Sequence, residues 1–447
     1  MSNQSKPDHS TPEATPSSGI EQGLLVTDFQ PLTIAPGVHV VPTQGNGLVV
    51  ETAEGVIIVD AGPGGGATDR MIANVRQLSD APLRGIVYSH GHVGYNAGVP
   101  QWLADAQARD DNPPVLIAHD NVKLRYDRYR ATHDYQLLLN SYQFPKGKRK
   151  ALEAALTFTD PTATFGDQIM ITDLERPVEV FAAPSETDDA IGIWLPNQKV
   201  LYGGPAVISG FPNIGTPLRI QRHTSRWIKT LDNMIRLNAE ILVPEFGDVV
   251  VGQEAVMHRL TTTADALRWI ETEVIVRLNK GMIDTEIIHD LPDPGDLFDQ
   301  PYLSPNYGSP DYVVRDICRE HGGWWTSKNP TDLHPAAPDD AATAILGAID
   351  PTAVVTAAKQ HFDTGDYQLA LHVVDLVAMA PGDEPVLQAA RDLKADCCEK
   401  LARQTDPFVS RSLYFGSARL LRSGKRRWSE APEGLDAMEA ELGDTAR

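Results

Sequence analysis

The sequence predicts a layered α/β domain followed by an all-α unit. Three observations carry this expectation. Residues 38–280 alternate short β-branched runs with stretches whose apolar residues recur at helical spacing. Residues 340–422 show helical spacing and no strand signal. The chain is 447 residues long, more than one core ordinarily holds.

In chain order, residues 1–22 are rich in Ser, Pro, Thr and Gln and almost lack large apolar side chains, so a disordered arm is expected. Runs at 38–42, 47–51 and 55–60, separated by Gly-containing turns, make a strand meander. After the glycines of 62–66, residues 67–78 read as a helix and 83–88 as a strand. Residues 101–108 are helical, 115–118 a buried strand, and 178–183, 192–195 and 199–202 further strands. An amphipathic helix at 224–237, a strand at 240–243 and a long helix at 253–280 close a first domain placed at 23–292.

Residues 293–338 are rich in Pro, Gly and aromatics, including Tyr302, Tyr307, Tyr312, Trp324 and Trp325. Because aromatics seek burial, this reads as a packed connector. Helices at 341–349, 351–364, 366–379, 385–403 and 407–421 form a unit at 339–422. Its Gly365-Asp-Tyr turn is of the tetratricopeptide type, in a single copy. A polar tail at 423–447 follows, with the run Lys425-Arg426-Arg427 read as solvated.

Apolar residues make up 42% and charged residues 22%, within the globular range. No run approaches the ~20 apolar residues of a bilayer span, and the first residues lack an apolar leader core, so a cytoplasmic protein without a membrane span is expected. The three cysteines, Cys318, Cys397 and Cys398, lack C-x-x-C spacing and fit a reducing compartment. A formal charge of −21 argues against nucleic acid as a partner, since phosphate backbones are held by Lys and Arg.

The segment that offers chemistry is Ile86-Val-Tyr-Ser-His90-Gly-His92-Val-Gly-Tyr95-Asn96. Alternate positions on an extended backbone point the same way, so His90 and His92 can converge on one ion. An isolated H-x-H also serves as a pair of polar turn residues. Upstream, Asp60 ends the buried run 56–59, where it suits a role orienting the histidine loop by accepting backbone hydrogen bonds. Arg219 and Arg222 offer guanidinium groups for a sulfate or carboxylate, or form surface salt bridges. Asp188 and Asp189 either support Glu186 or cap a turn. His119, His133 and His223 stand alone and read as satisfied polar residues.

Together, Val56-Ile-Ile-Val-Asp60-Ala-Gly62 and the His90-x-His92 pair resemble the metallo-β-lactamase superfamily. Pro184-Ser-Glu186-Thr-Asp-Asp189 before Ile191-Gly-Ile-Trp-Leu195, with Pro301-Tyr-Leu-Ser-Pro, Gly322-Gly-Trp-Trp and Asn329-Pro-Thr-Asp-Leu-His-Pro335, resembles its alkylsulfatase-like branch. Residues 340–422, ending in Ser410-Arg-Ser-Leu-Tyr414-Phe-Gly-Ser-Ala, are similar to that branch's helical dimerisation domain. The resemblance implies an αββα sandwich and a homodimer through the helical unit.

It also implies ligands. His90, His92 and Glu186 match the positions that bind a first metal. The second site's positions carry Gly94, Tyr95, Pro205 and Phe246, so one divalent metal, zinc, is expected instead of two. Tyr95 would assist an oxyanion or leaving group and Glu245 would serve as general base near the vacated second site, or both would merely fill it. Arg219 or Arg222 would hold the acid group. Two functions stay open: a mononuclear hydrolase of sulfate or other esters of an apolar organic substrate, and an inactive descendant that binds a small molecule or acts as a dimeric scaffold.

Overall fold

The computed structural model describes residues 30–144, 149–171 and 176–430. The arm expected at 1–22 and the tail beyond residue 430 lie outside the described residues.

A first sheet holds β1 (Leu32–Ala35), β2 (Val38–Pro42), β3 (Asn46–Thr52), β4 (Gly55–Val59), β5 (Leu83–Val87), β6 (Val115–His119) and β7 (Ala163–Phe165), adjacent in sequence order. The first four are antiparallel because short turns join them. The rest run parallel, since helices make the crossovers. These are α1 (Gly65–Leu78), α2 (Val99–Ala108), and the group α3 (Asn121–Ala131), α4 (His133–Gln143) and α5 (Arg149–Ala155).

The second sheet holds β8 (Gln168–Ile171), β9 (Val178–Ala182), β10 (Ile191–Leu195), β11 (Val200–Ile208), β12 (Ile241–Phe246) and β13 (Val250–Val251) in the order β13-β12-β11-β10-β9-β8. Its one parallel pair, β11 with β12, is joined through α6 (Thr224–Arg236).

Period-2 alternation sorts the strand residues into layers. Val38, Val40, Leu48, Val50, Ile57 and Val59 face the second sheet, where Val180, Ile191, Ile193 and Val243 meet them. Val41, Val49, Val56 and Ile58 face the other way, onto α1, α2 and α3. The outer face of the second sheet packs on α6, α7 (Gln253–Leu278), α8 (Asp284–Asp290) and α9 (Pro310–Gly322). The result is helix, sheet, sheet, helix, the expected αββα sandwich. A fully buried tryptophan pins a helix on each side: Trp102 donates to Ala61 O at 3.1 Å and Trp227 to Ala206 O at 3.0 Å. Each buries a large apolar body with its one N–H satisfied.

The C-terminal unit is a helical array of α10 (Pro338–Ala348), α11 (Pro351–Asp363), α12 (Tyr367–Ala378), α13 (Pro385–Gln404) and α14 (Phe408–Arg422). Proline in the first turn starts α10, α11 and α13. Gly365, at φ +90°, turns α11 into α12. Ala370, Val374, Leu387, Cys397 and Cys398 form its core.

Two expectations need correction. The connector packs only in its first part. Tyr307 and Tyr312 are buried, but Trp324 is 73% exposed, and residues 328–338 lie almost wholly at the surface. Nor are Arg426 and Arg427 merely solvated. Both pair with Asp339 at the start of α10, and Arg426 also with Glu430, which ties the end of the array to its beginning.

The array also leans on the sandwich. Tyr142 of α4 stacks on Trp428, and Phe408 N donates to Asn306 O at 2.8 Å. Fully buried Val409 packs with Tyr95, Ile208, Phe246 and Tyr307. Helix α14 therefore supplies one wall beside the histidine loop.

Candidate metal centre

The histidine loop follows β5, which ends at Val87, so residues 90–92 lie beyond the sheet's hydrogen-bonded ladder. Its shape is set by two buried carboxylates. Asp60, at φ +61°, accepts from Ser89 N at 2.8 Å and from Asn96 Nδ2 at 3.1 Å. A non-glycine residue in the left-handed region is uncommon, and aspartate tolerates it better than most. Burial pushes Asp60 up to about 7 against those donors. On the other side, Gly91 N donates to Asp189 Oδ2 at 3.2 Å. A Cβ at residue 91 would meet that same oxygen at 2.8 Å and Arg125 Cδ at 3.0 Å, which is why glycine stands between the two histidines.

Asp189, not Asp188, is the interior carboxylate. Asp189 is fully buried and accepts from Arg125 Nε at 2.7 Å and from the Thr187 hydroxyl. Asp188 is 53% exposed and meets the far side of the Arg125 guanidinium. The expected support of Glu186 by Asp188 is thus replaced by other partners: Asn213 Nδ2 donates to Glu186 Oε1 at 2.8 Å, and Arg222 Nη2 lies 3.0 Å from the same oxygen. Arg222, 4% exposed, also donates to Asn213 O, while its backbone N donates to Asp316 Oδ2 at 3.2 Å. It is an interior ion pair and not a surface one.

The donor groups that converge are His90, Glu186 and Glu245, each offering a ligand atom within 4.8 Å of the others. All three are buried, and Glu245 is fully so. His92 stands outside this set. Its ring centroid is 5.6 Å from that of His90, it is half-buried, and it lines a neighbouring cavity. Of the expected triad, His90 and Glu186 belong to this cluster, with Glu245 beside them, while His92 lies next to it on the cavity lining.

Glu245 arrives on β12, and Tyr95 donates its phenolic O–H to Glu245 Oε1. Two buried atoms in the cluster have no partner, His90 Nε2 and Glu245 Oε2. His90 Nδ1 is occupied by Ser89 Oγ at 2.9 Å. Burial pushes His90 down to about 3, so its imidazole is neutral at ordinary pH, the form that ligates. His92 is held well below its ordinary value, first by burial and then by Arg219. Burial, with Glu186 nearby, holds Glu245 well above the usual carboxylate range. An unpartnered ring nitrogen and an unpartnered carboxyl oxygen in one buried cluster fit a cation that takes the place of a proton on Glu245.

Glu186 belongs both to this cluster and to the lining of a cavity of about 420 Å³, so the cluster adjoins that cavity. Arg219 lines the cavity from the loop before α6, donating to Asn140 Oδ1 at 3.0 Å and to Leu218 O. Burial lowers its pKa. Arg125 and Asn213 are the residues around the cluster that sequence reasoning passed over.

The comparisons agree with this architecture. Residues 40–245 match the metallo-beta-lactamase superfamily and residues 284–424 the alkyl sulfatase dimerisation family. A linear primary-alkylsulfatase of a Pseudomonas species is 29% identical over 397 residues, covering 83% of this chain and 72% of its own length. The alkyl/aryl-sulfatase BDS1 of Saccharomyces cerevisiae is 23% identical, and 79% of this chain spans 57% of it. The stereoselective inverting sec-alkylsulfatase Pisa1 of a Pseudomonas species superposes with a TM-score of 0.76 at 22% identity, over 88% of this chain and 66% of that one. The chain therefore carries a metallo-beta-lactamase superfamily domain followed by an alkyl sulfatase dimerisation domain, the arrangement that the resemblance to the alkylsulfatase-like branch implies.

Proposed function

We propose that the protein hydrolyses organic sulfate or related esters with one divalent cation held by His90, Glu186 and Glu245. The observation that carries this reading is the pair of unpartnered buried atoms, His90 Nε2 and Glu245 Oε2, beside Glu186. One imidazole and two carboxylates balance a dication and leave a coordination position open, as catalytic zinc sites do. The oxygen-rich set also suits manganese or iron, which elemental analysis separates from zinc. When bound, such an ion polarises an ester oxygen and acidifies an adjacent water.

The protein's own groups have distinct tasks in this reading. Asn213 and Arg222 fix one oxygen of Glu186, and Tyr95 fixes one oxygen of Glu245, so each carboxylate presents its remaining atom to the centre. Glu245 is accordingly a ligand in place of a general base. Arg219 holds the acid group of the substrate in the cavity. His92 lines that cavity as a neutral donor or acceptor for the ester, or as a fourth ligand once its side chain turns inward. The three cysteines are free and buried, which favours a reducing, cytoplasmic setting. Among the described residues no single helix is long and apolar enough to cross a membrane.

One observation favours the rival, non-catalytic reading. Tyr95 and Phe246, at positions where the resemblance expects histidines, are packed in an apolar cluster, and Arg222 already neutralises Glu186. Metal content and turnover decide between the two. Protein purified without chelator should hold close to one ion per chain, lost in His90→Ala and in Glu245→Gln, and should hydrolyse dodecyl sulfate above the level of those variants. Metal-free, inactive protein would leave only the binding module.

A further inference from the structure

On a chain whose net charge is −21, five arginines line the cavity beside Glu186. Three of them are matched. Arg125 faces Asp188 and Asp189, Arg222 faces Glu186, and Arg319 faces Asp316. The other two, Arg128 and Arg219, have no carboxylate partner among the described residues. Arg219 meets only the Asn140 amide oxygen and the Leu218 carbonyl. Arg128 lies over the Tyr129 ring, 5.2 Å from its centroid. Both side chains are half-buried, and they reach the cavity from different walls, α3 and the loop before α6. Glu186, the one carboxylate in the lining, is already held by Arg222 and Asn213.

Two guanidinium groups with no carboxylate at ion-pair distance, half withdrawn from water on one cavity, offer unfilled places for anions. Leu139, Pro217 and Leu218 also line the cavity and give it an apolar surface. We propose that the substrate carries two acidic groups on an apolar body: the reacting ester at Arg219, beside the donor cluster, and a second carboxylate or sulfate at Arg128. The identity of the reacting group rests on the hydrolase reading above; the second anion site does not. The planar fork of a guanidinium suits either acid bidentately.

Binding tests this without turnover. Full-length protein is titrated calorimetrically with a homologous series of alkane sulfonates, each ending in a methyl, a carboxylate or a second sulfonate. The doubly acidic ligands should bind roughly tenfold more tightly than their methyl-ended partners, the usual worth of a charge-assisted hydrogen bond. Arg128→Gln should remove that advantage and Arg128→Lys retain most of it, while Arg219→Gln should weaken every member. The carboxylate and sulfonate arms identify the second acid. Equal affinities across each pair, or an advantage that survives Arg128→Gln, overturn the inference. A parallel hydrolysis assay with the matching sulfate esters keeps the two readings apart. An intact binding preference with no turnover removes the hydrolase reading alone, and turnover with equal KM and equal affinity removes the second acid alone.

Discussion

Replacing Arg125 by methionine tests whether the histidine loop is held by a buried ion pair. Arg125 is 4% exposed and Asp189 fully buried, with Nε to Oδ2 at 2.7 Å. Removing the guanidinium leaves a carboxylate inside the protein with only Gly91 N and the Thr187 hydroxyl for partners. Breaking such a pair costs about 3–5 kcal/mol. The second contact, to half-exposed Asp188, adds less than about 1 kcal/mol. The lower end, about 3 kcal/mol, is expected because Asp189 keeps two donors. With a urea m-value near 3 kcal/mol/M, the unfolding midpoint of the sandwich should fall by about 1 M. Tryptophan fluorescence reports it, since Trp102 and Trp227 are buried on opposite sides of the fold.

A double-mutant cycle then separates the partners. In Arg125→Met with Asp189→Asn no buried charge remains unpaired, and the asparagine can accept from Gly91 N while donating to Thr187. That variant should recover at least about half of the loss, or about 1.5 kcal/mol. Arg125→Met with Asp188→Asn should recover almost nothing, because water already solvates Asp188. If Asp188→Asn restores as much as Asp189→Asn, or if Arg125→Met costs under about 1 kcal/mol, the buried pair is not what holds the loop.

Other predictions follow from single contacts. Tyr95→Phe removes the O–H that fixes Glu245, leaving an unsatisfied buried oxygen; a loss of about 1–3 kcal/mol in thermal or urea stability is expected, with weaker metal retention on dialysis. Unchanged metal affinity there would mean that Tyr95 does not orient Glu245. Asp316, raised by burial to about 6 from an ordinary 3.8, binds its proton more tightly folded than unfolded. Stability from this group is therefore complete below about pH 4 and is lost as pH rises through about 6, by up to about 3 kcal/mol. Asp316→Asn should gain on the wild type between pH 4 and 7 in urea titrations, and a constant difference across that range would rule this out. Leu369 and Leu376, seven residues apart on α12, are 47% and 43% exposed on one face. If that face meets a second copy, Leu369→Glu with Leu376→Glu should yield monomers in sedimentation velocity, and a dimer that persists would place the interface elsewhere.

What the sequence revealed, and what it hid, has a common physical cause. The sandwich was legible because its strands alternate cleanly: Val38 and Val40 inward, Val41 outward; Ile57 and Val59 inward, Ile58 outward. The segment from Asn121 to Ala155 was not read as helical. The buried face of α3 carries Arg125, Tyr126 and Tyr129 beside Val122, and that of α4 carries Asn140, Ser141 and Gln143, so the apolar period dissolves. Those same helices wall the cavity, because a cavity that takes anions must be lined by the residues that blur the pattern. The branch resemblance pointed to Glu186, and the structure sets Glu186 beside His90 and Glu245, with His92 on the adjoining cavity lining. The missing signal lay on β12. Val243 faces the space between the sheets, and Glu245, two residues later, shares its phase on a fully buried strand end. A carboxylate on the inward phase of such a strand is too costly to be filler unless a proton or a cation meets it. That argument, applied before any family pattern, marks Glu245 as a site residue and not as filler.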